Sequence, residues 1–208
     1  INSVKLENRS YVAGGITSSI GKVKISQSEV NGKVISSQSD VSLDNSIVTA
    51  SIEAGRDVSL EKSSSVNGRL ISKGVVSLNE SKVMSSVIAI NTVKLENRSY
   101  VAGGITSSMG KVKISNSRVN GNVISSLNQI GIVDSLVEGN ISAGAEIVMK
   151  NSTILGKLQS EDRVLIEDSS CGDVNSHNRI ILSGQKVRTG SLTSRLDKLQ
   201  GTFNFIDG

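Results

Sequence analysis

The chain is expected to fold as an all-β protein, a right-handed parallel β-helix (solenoid) of about eleven coils of 16 to 19 residues each. Three features carry that expectation: a short aliphatic pattern recurs at near-constant spacing, polar residues of one kind recur at fixed places within it, and the whole set is duplicated in tandem. Residues 3–37 return at 92–126, offset by 89 with five differences.

The repeating unit begins at Val4, Val23, Val41, Val58, Val76, Val93, Val112, Ile130, Ile147, Val164 and Ile180. It reads approximately V-x-[LI]-x-x-S-x-V-x-G-x-[VIL]-x-[SA], as in Val23, Ile25, Ser28, Val30, Gly32, Val34 and Ser36. Alternation of period two on either side of one break predicts two short strands per unit, bent at a polar corner. Like residues recurring every 16 to 19 positions are satisfied by coiling each unit onto the one before, about 4.8 Å along the axis, for a rod on the order of 50 Å long. Aliphatic spacings of two, seven or eight, and four do not match the six-residue period of hexapeptide solenoids, so the right-handed form is preferred.

Three polar or small columns follow from this register. Ser10, Ser28, Ser46, Ser64, Ser81, Ser99, Ser117, Ser135, Ser152 and Ser169 would point inward, each hydroxyl donating to its neighbour. Just before them stand Asn8, Gln27, Asn45, Lys62, Glu80, Asn97, Asn116, Asp134, Asn151 and Asp168, rich in the residue types that tolerate a left-handed corner. Gly14, Gly32, Ala50, Gly68, Ser85, Gly103, Gly121, Gly139 and Gly156 form a small-residue column where the wall would fold inward. The expected organisation is one β-helix over 1–194, built from two five-coil halves (about 1–91 and 92–180) and a last coil, with a capping segment at 195–208. Across the start of that segment Leu192, Leu196 and Leu199 fall at helical spacing, followed by Phe203, Phe205 and Ile206, and residues 192–206 are expected to fold back as the cap. The cap is expected to cover Val148, Leu165 and Ile181, apolar members of an outward column that is otherwise Lys5, Lys24, Ser42, Ser59, Ser77, Lys94 and Lys113.

Composition agrees. The 208 residues hold 37% hydrophobic side chains but only two Tyr, two Phe and no Trp, so the core is aliphatic. Twenty Gly, no Pro and abundant Ser, Val and Ile favour short strands. The net charge of +4 is scattered, with no run that marks nucleic-acid or polybasic membrane binding. One cysteine excludes an intramolecular disulfide and multi-cysteine metal sites. No apolar run is long enough to span a bilayer. Because it opens on Ile1 in mid-pattern, the chain reads as a processed product or an excised segment.

The phrases SEVNGKVISSQSDVSL and SRVNGNVISSLNQIGI resemble the A-x-V-x-G-x-I…L-x-I repeat of bactofilins, polymer-forming bacterial cytoskeletal proteins, over nearly the whole chain. The β-helix of flagellar-assembly proteins resembling FapA has a comparable period. The bactofilin resemblance implies a cytoplasmic, self-associating scaffold. More coils, Ser where Ala is usual, and the internal duplication depart from the family pattern.

Candidate chemistry is sparse. The outward acids Asp40, Asp44, Asp57 and Glu61 would stack pairwise, Asp40 on Asp57 and Asp44 on Glu61, a spacing suited to a retaining glycosidase or a divalent cation. Lys22 precedes Asp40 in its column, so ladder ion pairs are the preferred reading, and the second-half equivalents are Gln129, Val133, Glu146 and Lys150. His177 reads as a solvated corner residue, and Cys171 as a small buried hydrophobe. No catalytic residue, cofactor or metal is assigned. The candidate interaction surface comprises Arg9 and Tyr11, presented again about 24 Å away as Arg98 and Tyr100, together with Ile35, Ile71, Ile88 and Ile124 of one outward column. The expected function is a non-enzymatic scaffold that binds itself or another protein, not nucleic acid. The alternative is a binding module, such as an extracellular adhesin segment with a glycan ligand or a phage or secretion spindle. A polysaccharide-acting enzyme is third.

Overall fold

A computed structural model describes residues 3–195 and 199–201. Among them every regular element is a strand of two to four residues, and no helix long and apolar enough to cross a membrane occurs. The strands form three parallel sheets of twelve, nine and eleven strands in which each strand bonds to its counterpart one coil away. Twelve strands in the first sheet make eleven turns of a β-solenoid.

Nine coils hold three strands rather than the expected two, as in Val23–Ser26, Glu29–Val30 and Val34–Ser36, and in the coils that start at Val164 and Ile180 the second strand shrinks to a single bridge at Ser170 and Arg188. The second bend passes through Asn31, Gly32 and Lys33. It left no mark on the alternation because Val30 and Val34, four residues apart, both point inward, as they would in one unbroken strand. The register stacks like on like: Val4 pairs with Val23, Lys5 with Lys24 and Leu6 with Ile25. Inward Val, Ile and Leu from all three sheets meet in one continuous core, with Val23, Ile25, Val30 and Val34 fully buried. Burial of each such side chain contributes about 1.5 to 3 kcal/mol.

The corner between the first two sheets is built as the Asn and Asp column predicts. All ten of its residues, from Asn8 to Asp168, have φ between 46° and 61°. Arg9, Ser63 and Arg98 add a second left-handed residue, which absorbs the extra position where the aliphatic spacing is eight instead of seven.

The serine column closes this corner by a different route from the expected hydroxyl chain. Ser28 Oγ donates to its own coil's Ser26 carbonyl at 2.8 Å, while the Ser28 N–H donates to Ser46 Oγ at 3.2 Å. The pattern repeats at Ser46, Ser117, Ser135 and Ser152. The hydroxyls therefore partner backbone groups that the left-handed turn removes from the ladder. A second inward serine position, the [SA] of the repeat, serves the third corner. Ser36, Ser125 and Ser160 donate to the Gly21, Gly110 and Ala145 carbonyls at 3.1, 2.8 and 2.7 Å, and Ala54, Ala89 and Ala143 replace serine in other coils.

The glycine column is small for a reason other than an inward fold. A Cβ on Gly121 would lie 2.5 Å from Gly104 N and 2.6 Å from Gly103 C, so at this coil the consecutive backbones approach too closely along the axis to admit one, whereas Ala50 and Ser85 hold the same column in other coils.

The chain does not leave the solenoid after Ile180. Leu192–Ser194 pairs with Val174–Ser176, and Leu199–Gly201 pairs with Ile180–Leu182. Leu192 and Leu199, expected at helical spacing, thus belong to strands of two different sheets. Seven residues make two helical turns, but they are also the step from Val34 to Val41 between the same two sheets. The solenoid therefore passes the expected boundary at 194. Leu196, Phe203, Phe205 and Ile206 of the expected cap lie outside the described residues.

Candidate functional site

The acidic group is assembled as the register requires, with Glu61 beside Asp44 in adjacent strands and the Asp57 N–H donating to Asp40 Oδ1 at 3.4 Å. Each of its side chains is already engaged. Lys22, hydrogen-bonded at 2.8 Å, holds the Asp40 carboxyl below its ordinary range, helped by the Asp57 N–H and by Arg56 at 3.9 Å. Asp57 Oδ1 accepts the Val75 N–H at 2.8 Å. Asp44 pairs with Lys62 at 3.0 Å, which raises the lysine's pKa, and Glu61 accepts from Asn79 Nδ2 at 3.1 Å. Asp40, held ionised in this way, is unsuited to donate a proton near neutral pH. Among the described residues no three His, Cys, Asp or Glu side chains converge on a metal position.

Cys171 lies buried in the inward column, and burial pushes its thiol up to about 12, so it packs as a hydrophobe. His177 sits on the surface with Nδ1 3.4 Å from Glu161. A shallow recess opens beside Asp168, whose Oδ1 accepts the Gln185 and Lys186 N–H groups at 2.7 and 3.2 Å and shapes the loop through Gly184.

The duplicated tyrosines keep one contact and differ in their surroundings. Asn31 Nδ2 donates to the Tyr11 hydroxyl at 3.3 Å, and Asn120 Nδ2 to the Tyr100 hydroxyl at 3.0 Å. Tyr11 is 59% exposed and pairs with Glu29. Tyr100 is half-buried between Lys82 and Arg118, its neighbours in the coils before and after. Arg118 also donates to Asn120 Oδ1 at 3.1 Å and forms an ion pair with Glu138. Replacement of Glu29 by Arg118 in the second copy thus converts an acidic neighbour into part of a cationic network. Arg9 and Arg98 are exposed at the adjacent left-handed corner, two residues from each tyrosine.

The apolar column is continuous in register. Ile35 and Ile71 flank Glu53, Ile88 follows Ile71, and Ile124 follows Thr106. Ile35, Ile71 and Ile88 are half-buried among their neighbours, and Ile124 is 37% exposed. Its more exposed extension lies at the third corner, where Ile90, Met109 and Leu127 are 39%, 59% and 65% exposed. Met109 N–H donates to the Ile90 carbonyl at 2.7 Å and Asn128 Nδ2 to the Met109 carbonyl at 2.9 Å, so these residues gather at the same corner of three successive coils as an exposed apolar ridge. The repeat did not flag the ridge because corner residues lie outside its alternating pattern. No protein-family model, curated protein or solved structure matches the chain.

Proposed function

We propose that the chain is a non-enzymatic structural scaffold whose rods associate side by side. The ridge of Ile90, Met109 and Leu127 carries this reading, backed on the neighbouring sheet by Ile71, Ile88 and Ile124. An exposed apolar strip spanning several coils of a rigid surface is stabilised by burial against another such strip. The engagement of Asp40, Asp44, Asp57 and Glu61 in ion pairs and backbone hydrogen bonds supports a structural role for the acids. The bactofilin-like repeat supports assembly into polymers. A binding module is the second reading, favoured by the cationic setting of Tyr100.

Sedimentation velocity and negative-stain microscopy across a concentration series test the proposal. The wild-type chain should form concentration-dependent lateral assemblies, and Met109→Asp/Leu127→Asp should remain monomeric with an unchanged melting temperature. A wild-type chain that stays monomeric, or a double variant that assembles equally well, refutes it.

A further inference from the structure

The third corner carries charges whose order reverses about the ridge. Residues directly after each third-sheet strand stack coil on coil, with the Lys73, Ile90, Ser108 and Glu161 N–H groups donating to the Ala54, Ser72, Ala89 and Ala143 carbonyls at 3.1 Å. One position later stand Arg56, Met109 and Asp162, which therefore hold the same place in their coils, Arg56 three coils before Met109 and Asp162 three coils after it. Asp57 follows Arg56, and Arg163 follows Asp162. Base then acid on one side of Met109 thus answers acid then base on the other, each about 14 Å away. Lys73 stands between the first pair and the ridge, and Glu161 directly precedes the second pair.

These groups lie at the surface, and their contacts within the rod are few. Arg56 is 3.9 Å from Asp40, Arg163 Nε meets Glu146 at 2.5 Å, and His177 lies 3.4 Å from Glu161. Asp57 and Asp162 accept from the Val75 N–H and Asn178 Nδ2 at 2.8 and 3.1 Å, each through one carboxylate oxygen. Lys73 makes no ion pair among the described residues.

We propose that two copies of this chain pair side by side through this corner in antiparallel directions, related by a two-fold axis that crosses the ridge at Met109. The pairing rests on the side-by-side association proposed above and adds its partner, its direction and its stoichiometry. Turning one rod end over end about that axis lays Met109 on Met109 and Leu127 beside Ile90. It also lays Arg56 on Asp162, Asp57 on Arg163 and Lys73 beside Glu161 of the other copy, each of these contacts occurring twice. Parallel rods would instead set Arg56 on Arg56 and Asp162 on Asp162. Charge therefore selects the antiparallel direction, while the ridge supplies the apolar burial. Lys111, two residues beyond Met109, meets its own counterpart at the rim, where solvent and salt screen it. Because the contact uses the same strip on both copies, the assembly closes at a dimer.

Sedimentation equilibrium of the whole chain tests this. The wild type should dimerise and grow no further. Arg56→Asp and Asp162→Arg should each raise the dimer Kd about ten-fold or more, and the two together in one chain should restore it. Melting temperatures should stay within about 2 °C of wild type, as for other surface substitutions. Direction is read separately by a short bismaleimide acting on Arg56→Cys and Asp162→Cys chains, in which Cys171 stays buried. A mixture of the two should give a covalent dimer, and neither alone should. Undiminished association of the single charge variants, no rescue by their combination, or assemblies larger than a dimer overturns the antiparallel pairing. So does a covalent dimer from one cysteine variant alone, or none from the mixture. Those results leave ridge-driven association standing if Met109→Asp/Leu127→Asp still abolishes it, whereas a wild type that stays monomeric removes both.

Discussion

Gly121→Val and Gly131→Val make the same chemical change and should have opposite consequences. A Cβ on Gly121 would stand 2.5 Å from Gly104 N and 2.8 Å from Gly103 O, both backbone atoms of the preceding coil. Ordinary contact starts near 3.4 Å, so the two coils must part locally by about 0.9 Å. The Gly121 N–H donates to the Gly103 carbonyl at 3.1 Å, and parting the coils by that amount breaks this bond. Overpacking costs about 1 to 3 kcal/mol and the lost hydrogen bond about 1 kcal/mol more. At about 2 to 4 °C per kcal/mol for a chain of this size, the melting temperature should fall by about 5 to 15 °C. Ala50 and Ser85 occupy the same column, so the test uses valine, whose branch brings two further methyl groups to the contact. Gly131 is mid-strand with open space above it. There valine adds β-propensity, and the melting temperature should stay within about 2 °C of wild type or rise. Thermal denaturation followed by circular dichroism measures both. Equal losses at the two sites, or a Gly121→Val protein that melts like wild type, would show that axial backbone approach does not set the glycine column.

The two serine columns should respond unequally to removal of the hydroxyl. Ser46→Ala deletes a donor to the Asp44 carbonyl and leaves the buried Ser28 N–H without its acceptor, at a cost of about 1 to 3 kcal/mol in urea unfolding. In Ser125→Ala the Gly110 carbonyl keeps the Ser107 hydroxyl at 2.9 Å, so the loss should be below about 1 kcal/mol. Equal losses would contradict this account. Asp173 bears on acid stability: Lys157, the Ser191 hydroxyl and the Ser191 N–H hold its carboxyl down at about 2, from an ordinary 3.8. A depressed folded-state pKa contributes stability above the unfolded value that is lost as pH falls through the folded one. Asp173→Asn should therefore reduce the drop in melting temperature between pH 3.8 and about 2, with the difference shrinking in high salt. An identical pH profile for the two proteins would rule this out.

Much of the fold is legible in the order of residues because a solenoid repeats one local solution. The coil start positions, the inward Val and Ile, the buried Cys171 and the left-handed corner from Asn8 to Asp168 each follow from periodicity and from what one residue type tolerates. The pairing of Asp44 with Glu61 and the outward row from Lys5 to Lys113 follow from the same register. Only the tertiary structure decided that a coil has three strands, since the bend at Gly32 preserves the alternation from Val30 to Val34. It also decided that Leu192 and Leu199 continue the solenoid, since a seven-residue step fits a helix and a passage between two sheets equally well. The surroundings of the candidate sites belong to this second group. Lys82 and Arg118 flank Tyr100, and Ile90, Met109 and Leu127 gather at one corner, through contacts between residues 18 or 19 positions apart. Those contacts depend on the length of each intervening corner, which propensity and period do not encode.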